Sequence, residues 1–332
     1  MGRHTRTAVA ASVFSSATLL LFGAGAAQAH PTGGATTIEA TAPGQPIPNY
    51  YPPVPPGFDP LTATDAELQH YGFPLPPPAS HPAALASWRQ AMADAHTEVA
   101  STAATSSETA TNMLTVSSSA PLTNWAGWIS IGSNNNNVVY TETSANFTVP
   151  NVSGSSSYTS GAYQSAPGLL LWTGMGGATG TSTERSVDQA GVAAIQTSTP
   201  QYRFWYEDYP YFSMVYHGPG IKAGQTAYVN VSFSSSSYVT TYYLENLTTG
   251  DYQPFAVRTP DWASTPYLSS ADYVMEPKPK GPVTHFGSAS YTACLSIASG
   301  TLDSLGSSND TEEQSPGINV GPIEGNGFTV SG

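Results

Sequence analysis

The stretch "TAYVNVSFS", residues 226–234, decides the fold of this 332-residue chain. The apolar residues Ala, Val, Val and Phe alternate with Tyr, Asn, Ser and Ser. In an extended strand, each of these two sets lies on its own face. A strand with one apolar and one polar face is typical of an antiparallel sheet that packs one side against a core. We therefore predict a half-buried strand here.

The residues that follow predict a hairpin. Residues 238–257, "YVTTYYLENLTTGDYQPFAV", place two Tyr, Thr and Val-rich runs on either side of a turn from Asn246 to Gly250. Similar short strands with Gly and Ser turns continue through residues 120–332, and no comparable helical pattern accompanies them. The pattern predicts a single all-β domain, either a sandwich or a barrel.

The N-terminus predicts export. Arg3 and Arg6 precede a short apolar run, and Ala-Gln-Ala at residues 27–29 completes the pattern of a secretory signal peptide. The apolar run is shorter than the roughly 20 residues that span a bilayer. We therefore expect no membrane anchor, cleavage after Ala29, and a secreted, extracellular protein.

Residues 30–119 are predicted to be a propeptide with three parts. Between Pro43 and Pro82 lie 13 of the 28 prolines, a density that favours extended chain over helix. An amphipathic helix is predicted next, within residues 80–100, because apolar side chains recur at spacings of three and four: Leu85, Trp88, Met92, Ala95 and Val99. The last part, residues 101–119, has 11 Ser or Thr and suits a protease-accessible linker. A spacer or cell-surface stalk is the alternative interpretation.

Charge and cysteine content exclude several classes of function. Without residues 1–29 the chain carries 7 Lys and Arg against 22 Asp and Glu, a net charge of −15. Binders of nucleic acid or anionic membranes need a basic surface, so we expect neither as a partner. Few basic groups also leave little like-charge repulsion in acid, which is compatible with acid tolerance. Cys294 is the only cysteine, and we expect it in the core, with no disulfide, metal or other cofactor.

The common hydrolase signatures are missing. The sequence contains no G-x-S-x-G, no H-E-x-x-H and no Asp-Thr-Gly or Asp-Ser-Gly pair. The predicted β domain has two histidines, His217 and His285, and neither lies in a known motif. A serine triad is therefore not predicted.

Six short motifs, which we call landmarks, occur in order along the predicted β domain instead. They are "NWAGW" (124–128), "FTVPNV" (147–152), "LLLWTGMGG" (169–177), "SVDQAGV" (186–192), "FWYEDYP" (204–210) and the acid-containing "SSADYVMEP" (269–277). This series resembles the glutamic peptidase, or eqolisin, family over residues 123–332. The resemblance implies a two-sheet antiparallel β-sandwich similar to the legume lectins. It also implies an acid-acting endopeptidase that is made as a proprotein and acts on protein or peptide substrates. We expect the protein to be a monomer.

The same resemblance assigns the site residues. It implies that Gln189 and Glu276 are the catalytic pair, and that the substrate cleft contains Trp125, Trp172, Glu207 and Tyr209. The pair suits acid conditions, because a histidine is already protonated there while a carboxylate with an ordinary pKa of about 4.3 is partly ionised. Glu276 would serve as general base and then acid, and Gln189 would donate an uncharged N–H to the oxyanion.

Alternation along the strands tests these assignments in part. In residues 271–276 the acids Asp272 and Glu276 share one face and the large apolar residues share the other, which fits a sheet between a core and a cleft. In residues 202–209 both faces carry aromatics, so the pattern leaves open which of Glu207 and Asp208 faces the cleft.

Two alternatives stay open. Aromatics stack on sugars, and Glu207 with Glu276 would suit a glycosidase pair, so a glycan-binding or glycan-cleaving sandwich is one alternative. An inactive secreted homologue is the other, because Gly176 stands where the family commonly has Asp. Asp208 and Asp272 are further departures, at positions where many members have Trp and Glu.

Overall fold

The structure is a computed structural model that describes residues 45–95 and 124–332, except for 132–138, 154–165, 179–185, 210–211, 259–267, 279–284 and 307–309. The predicted signal peptide and the Ser/Thr-rich linker lie outside the described residues. So does Val99, at the end of the predicted helix.

Two short helices precede fifteen strands in the described part of the chain. The helices are α1 (Asp65–Tyr71) and α2 (Pro82–Asp94). The strands are β1 (Ala126–Ile131), β2 (Tyr140–Thr148), β3 (Gly168–Met175), β4 (Val187–Ile195), β5 (Gln201–Tyr209), β6 (Phe212–Gly220), β7 (Thr226–Ser234), β8 (Val239–Asn246), β9 (Asp251–Arg258), β10 (Ser270–Pro277), β11 (Ser288–Ala298), β12 (Thr301–Ser304), β13 (Asp310–Glu313), β14 (Asn319–Val320) and β15 (Phe328–Ser331).

The strands form two antiparallel sheets. The seven-stranded sheet has the order β13-β1-β10-β3-β4-β5-β6, and the eight-stranded sheet contains β14-β15-β11-β2-β7-β8-β9, with β12 paired to β11. Hydrogen bonds cross between the sheets, for example from the Tyr291 hydroxyl on β11 to the Val274 carbonyl on β10 at 2.6 Å. The two-sheet β-sandwich prediction is confirmed.

The core lies between the sheets and follows the alternation read from the sequence. In β7 the side chains of Ala227, Val229, Val231 and Phe233 point into it, while Tyr228 points away. In β10 the inward residues are Ala271, Tyr273 and Met275. The buried thiol of Cys294 also belongs to this core. Strand alternation therefore identified the core face in both strands, but the outward face of β7 is buried as well, so the prediction of a half-buried strand is wrong.

The N-terminal segment, residues 45–95, packs on the eight-stranded sheet. Helix α2 confirms a helix with Trp88 and Met92 buried, but it ends at Asp94 rather than Ala100, and the predicted helical residue Ala95 is extended. Helix α1 corrects the expectation of extended chain between Pro43 and Pro82. A capping box between Thr64 and Glu67 begins this helix, because each residue's side chain bonds the other's backbone N–H. No helix of the described residues is long and apolar enough to cross a membrane.

Candidate active site

The outward side of the seven-stranded sheet, which we call the site face, carries the predicted catalytic residues. Alternate residues of β4, β5 and β10 point to it, including Gln189, Glu207 and Glu276, while their neighbours point into the core. Strand pairing puts Gln189 directly opposite Glu207. The structure thus resolves the ambiguity in β5: Glu207 lies on the site face and Asp208 on the core side.

Gln189 and Glu207 are joined by a hydrogen bond. Gln189 Nε2 donates to Glu207 Oε2 at 3.0 Å. Gln189 is 7% exposed, and among the described residues its Oε1 has no hydrogen-bond donor. Burial raises the pKa of Glu207 to about 7, against the lowering effect of hydrogen bonds from the Met214 backbone and from Gln189. One amide and one carboxyl group are therefore fixed side by side.

Glu276 lies close enough to Glu207 for their charges to interact. The pKa of Glu276 is raised to about 8, first because burial removes water from the carboxylate and second because ionised Glu207 repels its charge. A hydrogen bond from Trp125 acts in the opposite direction. The site thus holds two carboxyl groups whose pKa values are raised above the ordinary glutamate pKa of about 4.3.

Asn124 is a site residue that the sequence analysis did not single out. Its Nδ2 donates to Glu276 Oε2 at 3.2 Å. The available signal was its place as the first residue of "NWAGW", next to Trp125. Asn124 and Trp125 therefore both orient the carboxylate of Glu276 from the start of β1.

The predicted cleft aromatics take different positions. Trp125 is 8% exposed and meets Trp172 edge-to-face, with ring centroids 4.8 Å apart. Trp172 has no exposed surface, so here it supports Trp125, and its contact with substrate stays a prediction. Tyr209 is half-buried at the end of β5, and its pKa is raised by burial and then by the charge of Glu207. Tyr209 therefore borders the carboxyl pair.

Two glycines allow this arrangement. A Cβ at Gly174 would lie 2.8 Å from Gln189 Cβ, so a side chain there would displace the glutamine. Gly177 has φ of +90°, and a Cβ on it would lie 2.5 Å from a Val187 methyl and 3.1 Å from the Trp125 ring. The "WTGMGG" stretch thus makes space for both Gln189 and Trp125.

A second acidic pair lies directly behind the first, on the core side of the same strands. Asp188 and Asp208 are opposite one another in β4 and β5 and interact through their side chains. Thr240 of the other sheet donates a hydrogen bond to Asp188 Oδ2 at 2.8 Å. Burial raises the pKa of Asp188. The hydroxyl thus anchors β4, which carries Gln189, to the opposite sheet.

Comparisons with known proteins agree with this geometry. The Peptidase A4 family matches residues 123–315. Two crystal structures of scytalido-glutamic peptidase, one with a transition-state analogue inhibitor and one with a peptide-based transition-state analogue, superpose on the fold with TM-scores of 0.50. They are 23% and 22% identical to this chain, and each match covers 63% of this chain and 98% of the other. A search of the curated proteins finds no significant match.

The two-sheet fold and the matched family define the class: the protein is a glutamic peptidase, a hydrolase that acts on protein or peptide substrates. More closely, the chain belongs to the Peptidase A4, or eqolisin, family, whose match covers more than half of its length. This confirms the resemblance read from the landmarks and favours the peptidase interpretation over the glycan alternative.

Proposed function

We propose that the protein is a secreted endopeptidase in which Glu276 is the general base and Gln189 binds the attacking water and the oxyanion. One observation carries the proposal. Gln189 donates a 3.0 Å hydrogen bond to Glu207, whose charge raises the pKa of Glu276, so one amide and two interacting carboxyl groups share the site face.

Glu276 can supply the proton transfers of peptide hydrolysis. In its ionised form it takes a proton from water while the water oxygen bonds to the scissile carbonyl carbon. The protonated Glu276 then gives that proton to the leaving amine as the C–N bond breaks. The hydrogen bonds from Asn124 and Trp125 hold the carboxylate in one orientation through both steps.

Gln189 supplies groups whose charge does not change with pH. One N–H bonds Glu207, and the amide's second N–H is a donor for the oxygen that becomes negative in the tetrahedral intermediate. Its Oε1 has no donor among the described residues and is itself buried, so the attacking water is bound through this N–H rather than through the amide oxygen. The buried position of Gln189 strengthens both interactions, because water does not compete for them.

The two raised pKa values oppose action in strong acid. Glu207 titrates with a pKa raised to about 7 and Glu276 with a pKa raised to about 8, and each charge disfavours the other. Full protonation of the pair removes the base, so activity falls as pH is lowered through this range. We therefore propose action near neutral pH, above the range of an isolated glutamate at about pH 4.3 and in place of the acid action that the family resemblance implied.

Secretion rests on the sequence of residues 1–29, and mass spectrometry of the exported protein tests it: we expect no peptide from that segment.

The catalytic proposal is tested by incubating the exported protein with denatured casein from pH 3 to pH 8, alongside Glu276→Gln. We expect cleavage by the native protein alone. No proteolysis by either protein, or equal proteolysis by both, would overturn the assignment.

A further inference from the structure

The N-terminal segment lies on the side of the sandwich opposite the site. We call the outward side of the eight-stranded sheet the rear face. The hydrophobic cluster of the segment includes the outward tyrosines of β7, β8 and β9, which are Tyr228, Tyr243 and Tyr252. Both sheets of the sandwich therefore separate the described part of this segment from Gln189 and Glu276.

Large apolar side chains of the segment fill the rear face. Phe73 lies with its ring centroid 5.7 Å from Tyr243 and 5.1 Å from Tyr252. Trp88 and Met92 of α2 join the same cluster, and both are nearly inaccessible to solvent. Side chains packed to this degree resemble the interior of a domain rather than a transient contact.

Polar contacts fix the segment in register. The Ile47 N–H donates to the Ala256 carbonyl at 2.8 Å, so residues near Pro46 continue the eight-stranded sheet beyond β9, its last strand. On the rear face, Asn146 Nδ2 donates to the Ser87 hydroxyl at 2.8 Å. The segment thus covers a strand edge that would otherwise be open to pairing with other chains.

Removal of the segment would expose an aromatic surface. Tyr228, Tyr243 and Tyr252 are each no more than 4% exposed, and Leu247 beside them is 8% exposed. Contiguous apolar patches of this kind are rare on free protein surfaces. The β-sandwich therefore needs a cover on its rear face, and residues 45–95 supply it.

We propose that residues 45–95 are a permanent clamp on the rear face, which stays bound after the chain is cut within residues 101–119 and does not block the catalytic cleft. The working enzyme is then a two-chain complex. The effect on activity rests on the proposed peptidase function, whereas retention of the segment does not.

Retention is tested by controlled cleavage. A recognition sequence for a specific external protease is inserted between Ala110 and Thr111 of full-length Glu276→Gln, which avoids self-cleavage. After cutting, we expect both fragments to elute together in native size-exclusion chromatography and to separate in denaturant. Separate elution of the N-terminal fragment under native conditions would overturn the proposal, whatever the state of the remainder.

Variants show whether the rear-face contacts cause the retention. In the same cleavable chain, Trp88→Ala should increase dissociation of the fragment at least tenfold, and Phe73→Leu gives a milder second variant if Trp88→Ala does not fold. Leu61→Ala is the matched control, because Leu61 belongs to the same segment but is 43% exposed. Equal dissociation in the three variants would contradict the proposal.

Activity distinguishes a clamp from an inhibitor. In the chain with native Glu276, we expect activity on denatured casein to change by less than about twofold on cutting. A tenfold or larger gain on release of the fragment would overturn the proposal. If no variant cleaves casein at any pH, the peptidase function fails, and the chromatography still decides the question of retention.

Discussion

The two outward faces of the sandwich both combine aromatic residues with glutamates, but they differ in how far the glutamates are covered. The site face combines Trp125 and Trp172 with Glu276, and the rear face combines Tyr243 and Tyr252 with Glu245. On the rear face Glu245 has no exposed surface, accepts a hydrogen bond from the Tyr243 hydroxyl at 2.9 Å and lies in a sheet that the N-terminal segment covers. On the site face Glu207 and Glu276 keep some exposed surface, and Glu207 is hydrogen-bonded to Gln189.

This difference shows why aromatic residues with an acid do not by themselves define an active site. A carboxyl group that is covered and held by a tyrosine hydroxyl contributes to the fold. A carboxyl pair that is reachable and adjacent to an uncharged donor has the parts needed for general-base hydrolysis. The comparison leads to three predictions, from the largest expected effect to the smallest.

Gln189→Ala should lower kcat/KM for a casein-derived peptide by about 10²–10³-fold, because the site loses its neutral donor to the oxyanion. The fold should persist, since Gln189 points away from the core. Gln201→Ala, in the same sheet at the start of β5, is the control and should leave kcat/KM unchanged. Retention of full activity by Gln189→Ala would remove the glutamine from the mechanism.

Glu207→Gln should move the ionisation of Glu276 to lower pH. Ionised Glu207 raises the pKa of Glu276, so its replacement by a neutral isostere lowers that pKa. The limb of the pH–kcat/KM profile that reports Glu276 should shift downward, and it should not shift for the exposed carboxylate variant Glu312→Gln. An upward shift, or none, would show that the two carboxyl groups do not interact.

Asp272→Asn should flatten the dependence of stability on pH. Asp272 is fully buried, and burial raises its pKa well above the ordinary value. Above about pH 3.9 the folded state therefore binds more protons than the unfolded state, and the free energy of unfolding falls as pH rises. The native protein should be more stable in mild acid than at neutral pH, by about 1.4 kcal/mol for each pKa unit of the shift.

Urea unfolding at several pH values measures this effect. Asp272→Asn mimics the protonated carboxyl group and should lose part of the pH dependence, while Glu324→Gln, at an exposed position, should keep all of it. A native protein whose stability rises steadily from pH 4 to pH 7 would contradict the sign of the prediction.

The sequence predicted the core face of a strand where apolar and polar residues alternated cleanly with a period of two. Alternation in β7 and β10 identified the core side, and the ordered landmarks identified the family. Alternation failed in β5, because Phe204 and Tyr206 face the core while Trp205 packs on the site face. Only the pairing with β4, which puts Glu207 opposite Gln189, shows which face of β5 lies on the site face.

The N-terminal segment was harder to predict for two reasons. The prolines on either side placed residues 61–73 in one extended segment, although this proline-free stretch carries the capping box of Thr64 and Glu67 and the left-handed C-cap Gly72. The docking surface depends on tyrosines from three strands, and no local pattern shows that Tyr228, Tyr243 and Tyr252 come together. Long-range packing of this kind lies outside what periodicity reveals.

The most direct test of the account compares the two faces through a matched pair of variants. Glu276→Gln and Glu245→Gln each neutralise one carboxyl group, and kcat/KM for a casein-derived peptide is measured at the pH where the native protein is most active, for samples shown to be folded by circular dichroism. We predict a loss of at least about 10³-fold for Glu276→Gln, within the range of general acid–base catalysis, and a change below about threefold for Glu245→Gln. Equal losses in the two variants, or a loss below tenfold in Glu276→Gln, would contradict the assignment of the chemistry to the site face.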